Sequence, residues 1–269
     1  MSTACQCRGV ARALGYPGRP ITRAYKLTLT GMPRLSRQPM GVLEKHPRWG
    51  FWKCYISLRK KQYPWNHKRV YRVYCQMKLN QKRRAKRKLP TRQRQPLMVP
   101  LRPNHVWSAD FMSDALYAGS RFRTFNVIDD FNREVAAIEI DTSLTAKRLI
   151  RVFERLQLTR GLPDIVRVDN GPEFFSSEVV TWAESVGMQI QHIQPGEPNQ
   201  NAYIERFNWT YREEVLDLYL FTSLTEVREA TYWWMIDYNE LRPHDALGDL
   251  TPAEYMEQNV GTSTLQLSP

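Results

Sequence analysis

A mixed α/β sheet covered by helices on both faces, preceded by a small basic helical unit of helix-turn-helix type, is the fold class this sequence predicts. Three observations carry it. The second half reads as three successive strand patterns and then helix, strand, helix, strand, helix, which suits a covered mixed sheet. A stretch holding Pro96, Pro100 and Pro103 separates it from the first half. Charge divides at the same place. Of 39 Lys+Arg and 27 Asp+Glu, 26 basic residues but only one acid, Glu44, lie up to His105, giving +25 there and −13 beyond. Such asymmetry marks two functional parts.

Residues 1–43 are rich in Arg, Gly and Pro, show no period, and read as a poorly ordered segment. A basic helical module follows at 44–80. Its first helix, within residues 46–61, would bury Trp52, Tyr55, Ile56 and Leu58. Asn66 reads as the N-cap of a second helix with Val70, Val73, Tyr74 and Met77 inward and Lys68, Arg69 and Arg72 outward. Such a unit either binds DNA or packs with a solvated basic face. Residues 81–103 form a basic, proline-rich linker. Its Lys82, Arg83, Arg84, Lys86, Arg87 and Lys88 are suited to phosphate contact.

The acidic domain is expected over residues 104–258, with a tail at 259–269. Strands are expected at 106–112, 123–129 and 134–140, with turn chemistry from Asp129, Asp130 and Asn132. Asp114, Asp129 and Asp130 read as turn or surface acids. Helices are expected at 146–160, 177–186, 200–216 and 224–239, and strands at 165–168 and 189–193. Trp233 and Trp234 would pack the last of these helices on the sheet.

Three acids stand out. Asp110 interrupts an apolar strand, where a charge is costly unless paired or bound to metal. Asp169 ends IVRVD before an Asn-Gly turn, at the edge where open α/β sheets hold ligands. Glu205 lies in a helix whose apolar face is Ile204, Phe207, Tyr211 and Val215. Arg212, seven residues on, shares its direction, with Asn201 and Asn208 nearby. Each acid alone has an ordinary explanation as a turn cap, a buried paired acid or a surface residue. Jointly they suit Mg2+ or Mn2+, a pair of ions held by oxygen ligands for phosphodiester chemistry. Glu173 could support the site, and Asn199 and Asn201 could meet substrate.

WSAD (107–110), VDNGPEF (168–174) and NAYIERFN…YREEVL (201–216) resemble the retroviral-integrase-like catalytic domain of bacterial insertion-sequence transposases, above all the second reading-frame product of the IS-three family. The likeness extends to YNELRPHDAL…TPAEY (238–255) and to HPRWG…NHKRVYR (46–72). It implies a ribonuclease H-like fold, Asp110, Asp169 and Glu205 as metal-binding catalytic triad, and Arg212 as a DNA contact. It also implies DNA cleavage and strand transfer at element ends, with DNA and further copies of the chain as partners. Nothing in residues 1–42 resembles the family's upstream recognition part, so the upstream reading-frame product is a further expected partner.

Two other readings remain: a DNA-binding regulator without catalysis, and a nuclease on the same fold. No apolar run reaches membrane-spanning length, no signal peptide is visible, and Cys5, Cys7, Cys54 and Cys75 lack zinc-ribbon spacing. These point to a cytoplasmic protein with reduced thiols, nucleoid-associated when bound to DNA.

Overall fold

The computed structural model describes residues 19–20, 34–80, 100–169, 171–193 and 201–264. The helical module comprises α1 (Arg34–Lys45), α2 (Phe51–Lys60) and α3 (His67–Gln76). Asn66 caps α3 as expected, its side chain accepting from the Lys68 amide at 2.9 Å. Val42, Trp49, Cys54, Leu58, Val70 and Tyr74 form the small core.

Two expectations change here. The segment read as poorly ordered contains α1, which places Met40 and Val42 in the interior. Trp52 is 60% exposed, because the inward face of α2 runs through Cys54 and Leu58. Phe51 and Trp52 are adjacent on the helix, so they cannot both face the core.

The second unit is a five-stranded sheet. Its strands are β1 (Val106–Ala115), β2 (Arg121–Asp129), β3 (Val135–Asp141), β4 (Ile165–Val168) and β5 (Gln189–His192), in the order β3-β2-β1-β4-β5. The first three form an antiparallel meander. β4 joins β1 in parallel and β5 joins β4 in parallel. Each parallel connection runs through a helix, α4 (Ala146–Arg160) and α5 (Ser177–Ser185) respectively.

Strand alternation divides the core. On one face Ala109, Phe125, Val127 and Val168 meet Leu149, Val152 and Phe153 of α4 and Ala183 of α5. On the other, Met112, Phe122 and Ile128 meet α6 (Ala202–Tyr211) and α7 (Leu224–Glu240) through Ile204, Phe207, Tyr211, Val227 and Trp234. Burying a side chain such as Phe207 contributes about 1.5–3 kcal/mol. A π-helical turn, Arg212–Leu216, continues α6 and returns Val215 and Leu216 to this core. Trp234 packs as expected, whereas Trp233 is 43% exposed. The last helix, α8 (Pro252–Thr264), runs past the expected boundary at 258. Among the described residues no helix is long and apolar enough to cross a membrane.

The expected turn acids Asp129 and Asp130 are both fully buried. Asp129 accepts from the amides of Asn104 and Phe131, each at 2.9 Å, and pairs with Arg160 at 3.3 Å. Asp130 accepts from Ser108 Oγ at 2.9 Å and pairs with buried Arg167 at 3.1 Å. Arg167 reaches it from β4, across the neighbouring strand. Burial outweighs this pairing and raises the Asp130 carboxyl to about 6.

Candidate active site

Register places the first two carboxylates. β1 and β4 run parallel with Ala109 opposite Val168, so the next rung sets Asp110 beside Asp169 at the carboxyl edge of β4. Asp169 Oδ1 accepts from the Gly171 amide at 3.1 Å, a local turn that ends the strand. A Cβ on Gly171 would sit 3.0 Å from that oxygen and 3.2 Å from Glu173 Oε2, so only glycine fits without a shift. The His192 ring nitrogen Nδ1 lies 3.4 Å from the Asp169 carbonyl oxygen, and the ring stacks on exposed Phe175 at 4.1 Å.

Asp110 faces α6. Its Oδ1 accepts from the Phe111 amide and its Oδ2 from Asn208 Nδ2, both at 2.7 Å. Burial pushes the carboxyl up to about 6, the charges of Asp169 and Glu205 push the same way, and the two hydrogen bonds oppose them. Glu205 stands exposed in the first turn of α6. Asp169 and Glu205 are thus near enough for their charges to act on Asp110 at this edge of the sheet.

This all-oxygen set suits a hard divalent cation. Among the described residues, however, no three His, Cys, Asp or Glu side chains are gathered as a formed metal site. The donors fit a cation by their chemistry, although they do not form a three-residue cluster among the described residues.

The polar residues expected beside Glu205 behave differently from one another. Asn208 is 9% exposed, and its amide is taken up by Asp110 and by Asn126, whose Nδ2 donates to Asn208 Oδ1 at 2.7 Å. It supports the carboxylate from inside instead of facing a DNA strand. Asn201 is 3% exposed and its Oδ1 is buried without a hydrogen-bond partner, so it too lies off the solvated face. Arg212 is half-buried. It donates to the Ser113 carbonyl at 3.0 Å and to Asp114 at 3.3 Å, with Asp217 at 3.9 Å.

Sequence reading also passed over several residues. Trp209, one turn beyond Glu205, is 47% exposed, and the Arg206 guanidinium lies 4.7 Å from its ring centroid. Its i+4 spacing from Glu205 was the available signal. Arg123 pairs with Glu173 and lies 4.6 Å from the Phe111 ring centroid, fixing the segment after Asp169. Asn126 is directly opposite Asp110 in the β1–β2 register. It alternates with Thr124 and Ile128 on a buried face, and an amide at that position was the missed clue.

In the helical module Lys68, Arg69 and Arg72 are exposed on α3, opposite Val70 and Tyr74. Lys82, Arg83, Arg84, Lys86, Arg87 and Lys88 lie outside the described residues, as do residues 194–200 before α6. Burial raises the Cys54 thiol to about 12, and Cys75 is also free.

Models of the integrase core domain match residues 100–198 and 186–252, and a model of an HTH-like domain matches residues 41–88. A protein of insertion element IS407 from Burkholderia multivorans is 39% identical over 261 residues, spanning 97% of this chain and 91% of its own length. A protein of insertion element IS476 from Xanthomonas euvesicatoria is 38% identical over 221 residues. That match covers 82% of this chain but 64% of the Xanthomonas protein. Among solved structures, the intasome of simian T-cell lymphotropic virus with PP2A regulatory subunit B56 gamma contains a chain with a TM-score of 0.50 and 16% identity. The match covers 81% of this chain and 74% of that one. At that identity the likeness concerns the fold alone.

Proposed function

Because this chain belongs to the integrase-core family of insertion-element proteins, we propose that it is a DDE-type transposase, cutting DNA at its element's ends and joining the freed strands to a target. The observation that supports this reading is the register of the parallel strands β1 and β4, whose last pair, Ala109 and Val168, is followed on each chain segment by an acid, Asp110 and Asp169, with Glu205 in the first turn of α6. These three side chains would hold Mg2+ or Mn2+, as a pair of ions. Bound there, the cations would activate an attacking hydroxyl and stabilise the leaving oxygen.

The chain's own residues do the rest. Asn208 and the Phe111 amide hold Asp110 by its two oxygens. The Gly171 amide holds Asp169, and Arg123 anchors Glu173 beside it. Lys68, Arg69 and Arg72 give the helical module a phosphate-binding face. The linker cations extend that charge in sequence, and Arg212 would reach DNA by leaving its partners on β1. Self-association on DNA would bring paired ends together, with the upstream reading-frame product supplying end recognition.

The test is an assay of the purified chain with labelled terminal-repeat DNA and Mg2+ or Mn2+, beside Glu205→Gln. Joined strands that disappear in the variant are expected. Equal activity in Glu205→Gln would remove that residue from the site. Cleavage without joining, even after the upstream product is supplied, would favour a nuclease.

A further inference from the structure

The geometry points to Asn126 as a positioning residue that acts on Asp110 through Asn208. It rests on the reading of Asp110 as a site carboxylate. An asparagine amide can present either its oxygen or its NH2 to a neighbour. Toward an ionised carboxylate only the NH2 is attractive. Asn126 fixes that choice. Its Nδ2 donates to Asn208 Oδ1 at 2.7 Å, leaving the Asn208 NH2 to donate to Asp110 Oδ2 at 2.7 Å. The hydrogen bonds run in one direction, from β2 to α6 to β1, and end on the carboxylate.

The arrangement has a cost that packing does not explain. Asn126 is fully buried, on a strand face otherwise lined by Thr124 and Ile128. Its Oδ1 is buried without a hydrogen-bond partner. An aliphatic side chain there would remove that orphaned oxygen, but it would also take away the donor that Asn208 Oδ1 receives. The amide earns its place only if its NH2 is needed, and Asn208 is the group that receives it.

The backbone makes the relay short. Asn126 is the β2 partner of Asp110 itself, so the sheet fixes both ends, and Asn208 closes the triangle from the helix above. Asp110 Oδ1 is meanwhile held by the Phe111 amide. The carboxylate is thus held at both oxygens in one orientation before any ligand arrives, which is the preorganisation that site geometry requires.

The experiment uses the full chain with Asn126→Leu, similar in branched shape but without a donor, and Asn126→Ala as the second variant. Retention of fold is read from thermal unfolding. In metal-free buffer, hydrogen exchange of the Asn208 side-chain amide should accelerate by roughly tenfold or more as the amide loses its fixed orientation. Mn2+ affinity by calorimetry and turnover in strand cleavage should each fall about tenfold, the low end for loss of a group that orients a metal ligand. DNA affinity should hold. In an Asn208→Ala background, Asn126→Leu should have no further effect on Mn2+ affinity or turnover, whereas a general packing defect would add to the first loss. Unchanged exchange of the Asn208 amide in both Asn126 variants would overturn the relay. So would an undiminished Asn126→Leu effect without Asn208. Full cleavage by Asp110→Asn, with the exchange result intact, would instead refute the assignment of Asp110 and leave the relay standing.

Discussion

Arg167→Leu provides the sharpest test of how the sheet beneath the site is held. Arg167 and Asp130 form a pair whose side chains are 6% and 0% exposed, at 3.1 Å. Removing one member of a buried pair costs about 3–5 kcal/mol, because the other charge is stranded. Here the stranded group can respond. Asp130 already titrates at about 6, well above an unfolded aspartate, with burial as the main cause. The folded state therefore binds more protons than the unfolded state between roughly pH 4 and 6, and this group favours folding as pH falls through that window. Loss of the Arg167 charge raises Asp130 further.

At pH 8 the variant must bury an unpaired carboxylate or take up a proton, and the full penalty applies, a fall in Tm of roughly 6–20 °C. At pH 5 the carboxyl is protonated in variant and parent alike, and the penalty shrinks. Asp130→Ala strands the guanidinium instead, which cannot discharge in this range, and removes the group whose protonation favours folding, so its penalty grows from pH 8 to pH 5, the opposite trend. Urea unfolding of both variants at the two pH values measures this. A penalty for Arg167→Leu below about 1 kcal/mol at pH 8, or one identical at pH 5 and 8, would refute the reasoning.

Other expectations follow from the site and the module. In metal-free protein, carbon NMR should show Asp110 titrating near 6, and Asp169→Asn should lower that value by removing a neighbouring charge; a higher value would reverse the stated cause. Gly171→Ala should displace the Asp169 carboxylate, cutting strand cleavage at least roughly tenfold while unfolding midpoints move little, since the backbone conformation admits alanine. Arg212→Ala should change stability by less than about 1 kcal/mol because its partners are partly exposed, yet weaken DNA binding in a filter assay; unchanged binding would leave Arg212 tied to β1. Replacing Lys68, Arg69 and Arg72 together by alanine should flatten the dependence of DNA affinity on salt, by about 0.9 in logarithmic slope for each phosphate no longer neutralised, and an unchanged slope would take α3 off the DNA.

What the sequence disclosed depended on whether the cause was local. The helix α4 has matching ends in sequence and structure because its period and its Gly161 stop lie within one segment. The same holds for β4, bounded by Pro163 and the turn after Asp169. Asp129 and Asp130 were misread because their neighbours are turn residues, while the arginines that keep them inside come from α4 and β4. The helix α1 was hidden by Pro39 and Gly41, poor helix formers, and by an interior supplied by two other helices. At the site, Asp110 was visible as an acid inside an apolar strand and Asp169 as an acid at a strand's end. The inward turn of Asn208 was not visible, because it depends on Asn126 across the core.

The π-helical turn at Arg212–Leu216 gives α6 a place where chain length can change. Such a turn holds one residue more than an α-helix needs, and each helical residue advances about 100°. A single deletion within it could be absorbed by tightening to ordinary α-helix, leaving Glu205 over the sheet edge and Leu216 in the core. The same deletion between Glu205 and Tyr211 would rotate the two halves against each other and carry the carboxylate away from Asp110. The helix thus divides into a stretch whose length is fixed by chemistry and a stretch that can take up the slack, and insertions or deletions should be tolerated only in the second.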